Sequence, residues 1–192
     1  VRENKEKWNA VWDELLIENI IEPNWNNIIQ YWKIYSFTDT LKEYVSAQGN
    51  VLKEADTTAV SDEFIKEFIN SEFSGEIQRK LIPVLKMDDF DMDVSMIDPS
   101  TLQIMIDCRY FAFSAERYKS LAAISPNLGV DFITQNQDDF MAVKNSITMS
   151  GDLFESLMLS EHIQKEYKDE LFVEYAESCM TAGVAMKMVA LK

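Results

Sequence analysis

Glu63-Phe64-Ile65-Lys66-Glu67-Phe68-Ile69-Asn70-Ser71-Glu72 is the stretch on which the fold turns. Its apolar side chains stand at 64, 65, 68 and 69, one face of an α-helical period, so the segment predicts an amphipathic helix. Ser61 can cap it, and Asp62 and Glu63 suit the positive end of the helix dipole. The same pattern returns 89 positions on, as Asp152-Leu153-Phe154-Glu155-Ser156-Leu157-Met158-Leu159-Ser160-Glu161. The apolar positions coincide, and both copies end in Ser-Glu.

The correspondence extends outward. One residue is inserted, and Ile77, Leu81, Ile82 and Leu85 then fall on Tyr167, Leu171, Phe172 and Tyr175 at an offset of 90. Upstream, Asn24-Trp25-Asn26-Asn27-Ile28 falls on Ser114-Ala115-Glu116-Arg117-Tyr118 at the same offset of 90, a helix start on a helix start. Tyr44-Val45 falls on Phe132-Ile133 at 88, and each is followed by a Gln/Asn-rich stretch, 46–50 and 134–138. Any two amphipathic helices can be aligned, but several in order at a near-constant offset imply internal repetition. Repeated helical pairs bury their apolar stripes against their neighbours. The expected fold is therefore all-α, a HEAT-like α-solenoid built from two copies of a unit of about 90 residues. The expected boundaries are 1–87 for the first copy, 88–98 for an acidic linker and 99–192 for the second.

Further helix signals fit this reading. A first helix is expected from about 3 to about 22, with Trp8, Trp12, Leu15, Leu16 and Ile20 near one face, until Glu22-Pro23 breaks it. Asn24 caps a second, carrying Ile28, Ile29, Trp32 and Tyr35. Thr38-Asp39 opens a third with Leu41, Tyr44 and Val45, which Gly49-Asn50 interrupts. Ser74 opens a helix in which Pro83 forces a kink or an early stop. Asp98-Pro99 and Ser114 open the next two, the latter ending before Ser125-Pro126. Helices then follow near 127–136, 150–160, 164–178 and 181–191. That last one is strongly apolar with no polar cap after it. Together with a chain beginning at Val1, it suggests a piece cut from a longer protein.

Composition narrows the function. The chain has 192 residues, 47% of them hydrophobic, which is enough for a core and excludes wholesale disorder. Acids number 33 against 18 bases, a net charge of −15, which argues against phosphate-backbone binding and against docking on anionic membranes. Residues 87–192 hold 18 of the acids and only 8 of the bases, so the second half carries most of the excess. No membrane-length apolar run or secretion signal is present, so the expected compartment is the cytoplasm. Five glycines and four prolines are few for a β-sandwich or a dinucleotide-binding fold, and no phosphate-cradling loop occurs.

Catalytic constellations are scarce. Cys108 and Cys179 share no CxxC spacing and read as buried free thiols. His162, the one histidine, stands at a helix end, which suits a dipole partner or a surface residue better than a base. Asp89, Asp91 and Asp93 alternate like calcium-loop ligands, but Val94 stands where that loop needs Gly, and Ser100 where it needs Glu. The acidic stretch is read as a solvated linker. Carboxylate pairs such as Glu161 with Glu166, or Asp138 with Asp139, are expected by chance among so many acids. No cofactor, metal or catalytic residue is assigned.

The pattern Phe154-x-x-Leu157-x-x-Ser160-Glu161-x-Ile163-x-x-Glu166-x-Lys168, preceded by Val130-Asp131-Phe132-Ile133-Thr134-Gln135-Asn136, resembles the helical carboxy-terminal repeats of large bacterial P-loop NTPases of the YobI-like type. Tyr44-Val45 through Ser71-Glu72 resembles the same unit less closely. The resemblance covers most of the chain, through core-pattern positions. It implies a repeat region that serves an ATPase through contacts with other subunits or partners. The nucleotide site of that family lies in a separate domain, and no Walker motif is present here to carry it.

The expected function is therefore a non-catalytic scaffold mediating protein–protein contacts. The alternative is an acidic immunity- or antitoxin-type inhibitor that covers a basic protein. Candidate partner-binding residues are Asp88, Asp89, Asp91 and Asp93 in the acidic run, with Trp25 and Trp32 as aromatic anchors, although aromatics at helical spacing are more often core. The partner is a protein or another part of the parent chain.

Overall fold

The computed structural model describes residues 2–18, 20–87, 90 and 92–180, with the backbone alone at 2–9 and 180. Every regular element among the described residues is helical. The chain forms two compact units that part between Tyr110 and Phe111. The sequence places the boundary at the acidic stretch 88–98, whereas the helix that follows this stretch, Pro99–Asp107, packs with the first unit.

The first unit holds α1 (Arg2–Ile17), α2 (Trp25–Tyr35), α3 (Asp39–Leu52), α4 (Asp62–Asn70), α5 (Gly75–Leu81) and α6 (Pro99–Asp107). Short polar side chains start these helices where the sequence placed them. Asn24 accepts the Asn27 N–H at 2.9 Å, Thr38 that of Leu41 at 3.2 Å, and Asp98 that of Ser100 at 2.8 Å. Ser61 and Ser74 do the same for α4 and α5. Each such cap satisfies an otherwise orphaned donor, worth about 1 kcal/mol.

Helix ends differ more from the sequence reading. α1 stops at Ile17, short of the expected 22, and the Ile20 N–H reaches back to the Leu15 carbonyl at 3.0 Å. Ile20 therefore leaves the helix and lies exposed. α3 runs through Gly49-Asn50 without a break. Packing overrides the glycine there: Gly49 is buried, and a Cβ on it would stand 3.2 Å from Ile77 Cδ1 of α5. α5 ends at Leu81, the early stop that Pro83 imposes.

The core of this unit gathers around Phe64. Its ring meets Trp25 at 5.9 Å, Trp32 at 5.2 Å and Phe37 at 5.2 Å, the two tryptophans edge-on. Leu41, Val45, Leu52, Phe68, Leu81, Leu102 and Met105 fill the remainder and are fully buried. Burial of each such side chain contributes roughly 1.5–3 kcal/mol. α3 lies against α1, α2 and α5, and α5 against α6.

The second unit holds α7 (Ala115–Ile124), α8 (Pro126–Gln135), α9 (Gln137–Val143), α10 (Gly151–Leu159) and α11 (Lys165–Met180). α7 and α8 cross closely because Gly129 faces Ala122: a Cβ on Gly129 would stand 2.8 Å from Ala122 Cβ and 3.2 Å from its Cα. Ile133, Phe140, Ile147, Leu153, Leu157, Ile163 and Leu171 form the main core. Phe154 stacks on Tyr175 at 4.1 Å and holds α11 to α10.

The compared segments agree best at α4 and α10. Both have nine residues and a serine cap, Ser61 and Ser150; α4 buries Phe64, Ile65, Phe68 and Ile69, and α10 buries Leu153, Phe154 and Leu157 at the first three matching positions. Elsewhere they diverge. α3 is continuous over 14 residues, whereas its counterpart breaks at Asn136 into α8 and α9. α5 has seven residues and α11 sixteen, since no proline stops the latter. The segment 181–191 lies outside the described residues.

Candidate functional site

The residues singled out by sequence separate on the structure. Trp25 is 0% exposed, and its indole N–H donates to the Leu52 carbonyl at 3.1 Å, closing the end of α3. Trp32 is half-buried against Phe64, and its indole nitrogen is buried without a hydrogen-bond partner. Trp25 is therefore core and not placed to anchor a partner, while Trp32 packs on that core with part of its side chain accessible. Asp93 is exposed, and its carboxylate accepts from the Ser95 N–H at 2.9 Å, which holds its ionisation below the usual carboxylate range. Asp88, Asp89 and Asp91 lie outside the described residues.

The surface that stands out is a groove between α1 and α3. Leu16 and Ile17 form one wall, and Thr40, Glu43, Tyr44 and Ala47 form the other, around a volume of about 190 Å³. Ile17 is 65% exposed and Ile20 67%, an unusual position for two large aliphatic side chains so close in sequence. The Tyr44 hydroxyl donates to the Ile21 carbonyl at 2.6 Å, which pins the chain leaving α1 to the α3 wall. Burial, then the nearby charge of Glu22, push the Tyr44 phenol up from its ordinary range.

The rim of this groove is acidic. Glu43 lines the α3 wall and Glu22 lies near Tyr44, while Glu14 and Glu18 are exposed close by in sequence on the α1 side. Residues 10–22 contain four acids and no base. Lys42 belongs to the other flank of α3, since successive residues turn by about 100° and the wall is formed by 40, 43, 44 and 47. The signal in the sequence is faint: Ile20 reads as part of the apolar face of a helix expected to run to about 22, and no pattern marks Ile17.

A second, polar cleft of about 450 Å³ lies between the α4–α5 turn and the start of α6. Its floor is the buried pair Gln78 and Thr101, whose amide and hydroxyl bond each other at 3.0 Å. They spend their hydrogen bonds on one another and join α5 to α6.

In the second unit, Lys144 lies only 11% exposed and bonds Glu170 of α11 at 2.6 Å and Glu174 one turn on. Burial lowers its ammonium pKa, but the two carboxylates outweigh that and hold it above the ordinary range. Gln137 clasps the α10–α11 turn. Its amide nitrogen donates to the His162 carbonyl at 2.8 Å, and its oxygen accepts from the Gln164 N–H at 2.9 Å. His162 itself is exposed, with its backbone N–H on Ser160 Oγ at 3.3 Å. No sequence pattern marks Lys144, and Gln137 stands out only as part of the Gln/Asn-rich stretch 134–138.

Cys108 and Cys179 are both free, and burial pushes the Cys108 thiol up, away from a reactive thiolate. Among the described residues, no group of three or more His, Cys, Asp or Glu is placed to hold a metal ion. No helix among them is long and apolar enough to cross a membrane. No family model matches the chain, and neither does any curated protein or solved structure.

Proposed function

We propose that this chain is a non-catalytic helical scaffold that binds protein. In this reading two related sets of stacked helical hairpins, of HEAT-like character, present surfaces to partners in the cytoplasm. The resemblance to YobI-like repeats extends the proposal: the scaffold is an accessory region of a larger bacterial ATPase. The groove between α1 and α3 supports it, because Ile17 at the end of α1 and Ile20 just after it remain exposed. A photo-crosslinking residue at Ile17, in the full chain, tests it inside cells. A discrete protein adduct that is absent when the same residue replaces exposed Lys119 supports the scaffold. No adduct, combined with turnover of a small molecule by the purified chain, overturns it.

The inhibitor reading has its own support in the acids at the groove, Glu43 and Glu22, which complement a basic protein. Loss of activity of a basic nuclease on addition of the chain would favour it.

A further inference from the structure

We infer that the α1–α3 groove is built for a basic amphipathic helix of a partner protein, an assignment that rests on the scaffold reading. Three features define the occupant. The floor is apolar at Leu16, Ile17 and Ala47, and its volume of about 190 Å³ suits one large apolar side chain of an incoming helix. The rim carries Glu43, with Glu22 beside the Tyr44 end. The facing flank of α3 lacks lysine, since Lys42 is turned away. A helix with apolar residues on one face and Lys or Arg flanking them satisfies both floor and rim. A second copy of this chain does not, because its net charge of −15 sets like charge against like. An anionic lipid surface is disfavoured for the same reason.

The probe is a labelled synthetic helix with Leu on one face and Lys on the other, compared with a version carrying Glu for Lys. Both are titrated against the full chain by fluorescence anisotropy. The Lys peptide binds in the micromolar range, and raising salt from about 50 to about 300 mM weakens it about tenfold. Glu43→Lys and Ile17→Gln each weaken it about tenfold or more, while Lys119→Glu on the second unit leaves it unchanged. Circular dichroism and thermal melting confirm that these surface variants remain folded. Equal binding of the Glu peptide, or Lys-peptide binding untouched by Ile17→Gln and Glu43→Lys, overturns the inference. So does self-association of the chain that Ile17→Gln abolishes, since the occupant is then a second copy. If the Lys peptide fails while the Ile17 crosslink still captures a protein, the basic helix is wrong and the scaffold stands. If both fail, both readings fall.

Discussion

The Trp25 indole N–H donates to the Leu52 carbonyl at 3.1 Å, so the first residue of α2 closes the last residue of α3. Trp32, seven positions on in the same helix, packs on the same Phe64 ring but has no partner for its indole nitrogen. The two tryptophans therefore differ in what a phenylalanine would cost. Trp25→Phe forfeits a buried hydrogen bond, leaves a helix-end carbonyl unsatisfied and opens a cavity, a loss of about 3 kcal/mol. Trp32→Phe also loses volume but relieves an unpaired donor, and should cost about 1 kcal/mol or less. Urea unfolding followed by circular dichroism measures both; equal losses would contradict the assigned roles.

Gly129 marks the closest approach of two helices. Replacing a helical glycine with alanine ordinarily stabilises by up to about 1 kcal/mol. Here the added methyl would sit 2.8 Å from Ala122 Cβ. Gly129→Ala should therefore destabilise by about 1–2 kcal/mol through overpacking. Ala122→Gly in the same chain should recover part of the loss, which a thermal double-mutant cycle would show.

Ser36 ends α2 with φ at 61° and ψ at −164°, a region that glycine occupies at little cost. Its N–H still donates to the Trp32 carbonyl at 2.7 Å, so the turn is needed as it stands. Ser36→Gly should raise stability by about 1 kcal/mol and shift the urea midpoint upward without altering the slope.

Lys144 ties α11 to the end of α9 through Glu170 and Glu174. Lys144→Met keeps the aliphatic stem but leaves two carboxylates one turn apart repelling each other. Amide hydrogen exchange along α11 should accelerate, with a stability loss of about 1 kcal/mol that shrinks in high salt. Unchanged exchange in α11 would show that Phe154 and Tyr175 alone secure it.

Alkaline titration reports on two buried phenols. Tyr31 is pushed up to about 12 by burial and by its hydrogen bond to Asp13, and Tyr110 to about 12 by burial. Each is raised in the fold, so the neutral form is what the fold favours. The stability it contributes is whole below the ordinary tyrosine value near 10 and declines as pH rises from there toward 12. Phenolate absorbance should show a late-titrating fraction that shrinks by two tyrosines in the Tyr31→Phe, Tyr110→Phe double variant.

Much of the helix layout was legible in the chain because its causes are local. Asn24, Thr38, Ser61, Ser74, Asp98 and Ser114 cap helices through bonds spanning two or three residues, and Pro83 stops α5 by lacking a donor. The apolar stripe of Phe64, Ile65, Phe68 and Ile69 depends only on helical period. The candidate site was far less legible. The aromatic spacing that made Trp25 and Trp32 attractive is the spacing of a core face, and both joined the core around Phe64. The groove depends on Ile17 and Glu43, distant in sequence and joined only when α1 lies on α3.

The sequence by itself determined that this is a helical chain, where most of its helices begin (α9, which lacks a side-chain cap, excepted) and that its charge is strongly acidic, since caps, periodicity and charge are set by near neighbours. Tertiary structure alone decided which stripes found partners. It let α3 run through Gly49 because Ile77 packs there, set Gln78 against Thr101, drew Lys144 between two glutamates, and left Ile17 and Ile20 exposed. Those outcomes depend on contacts between residues far apart in the chain, whose energies exceed the local preferences that pattern and propensity express.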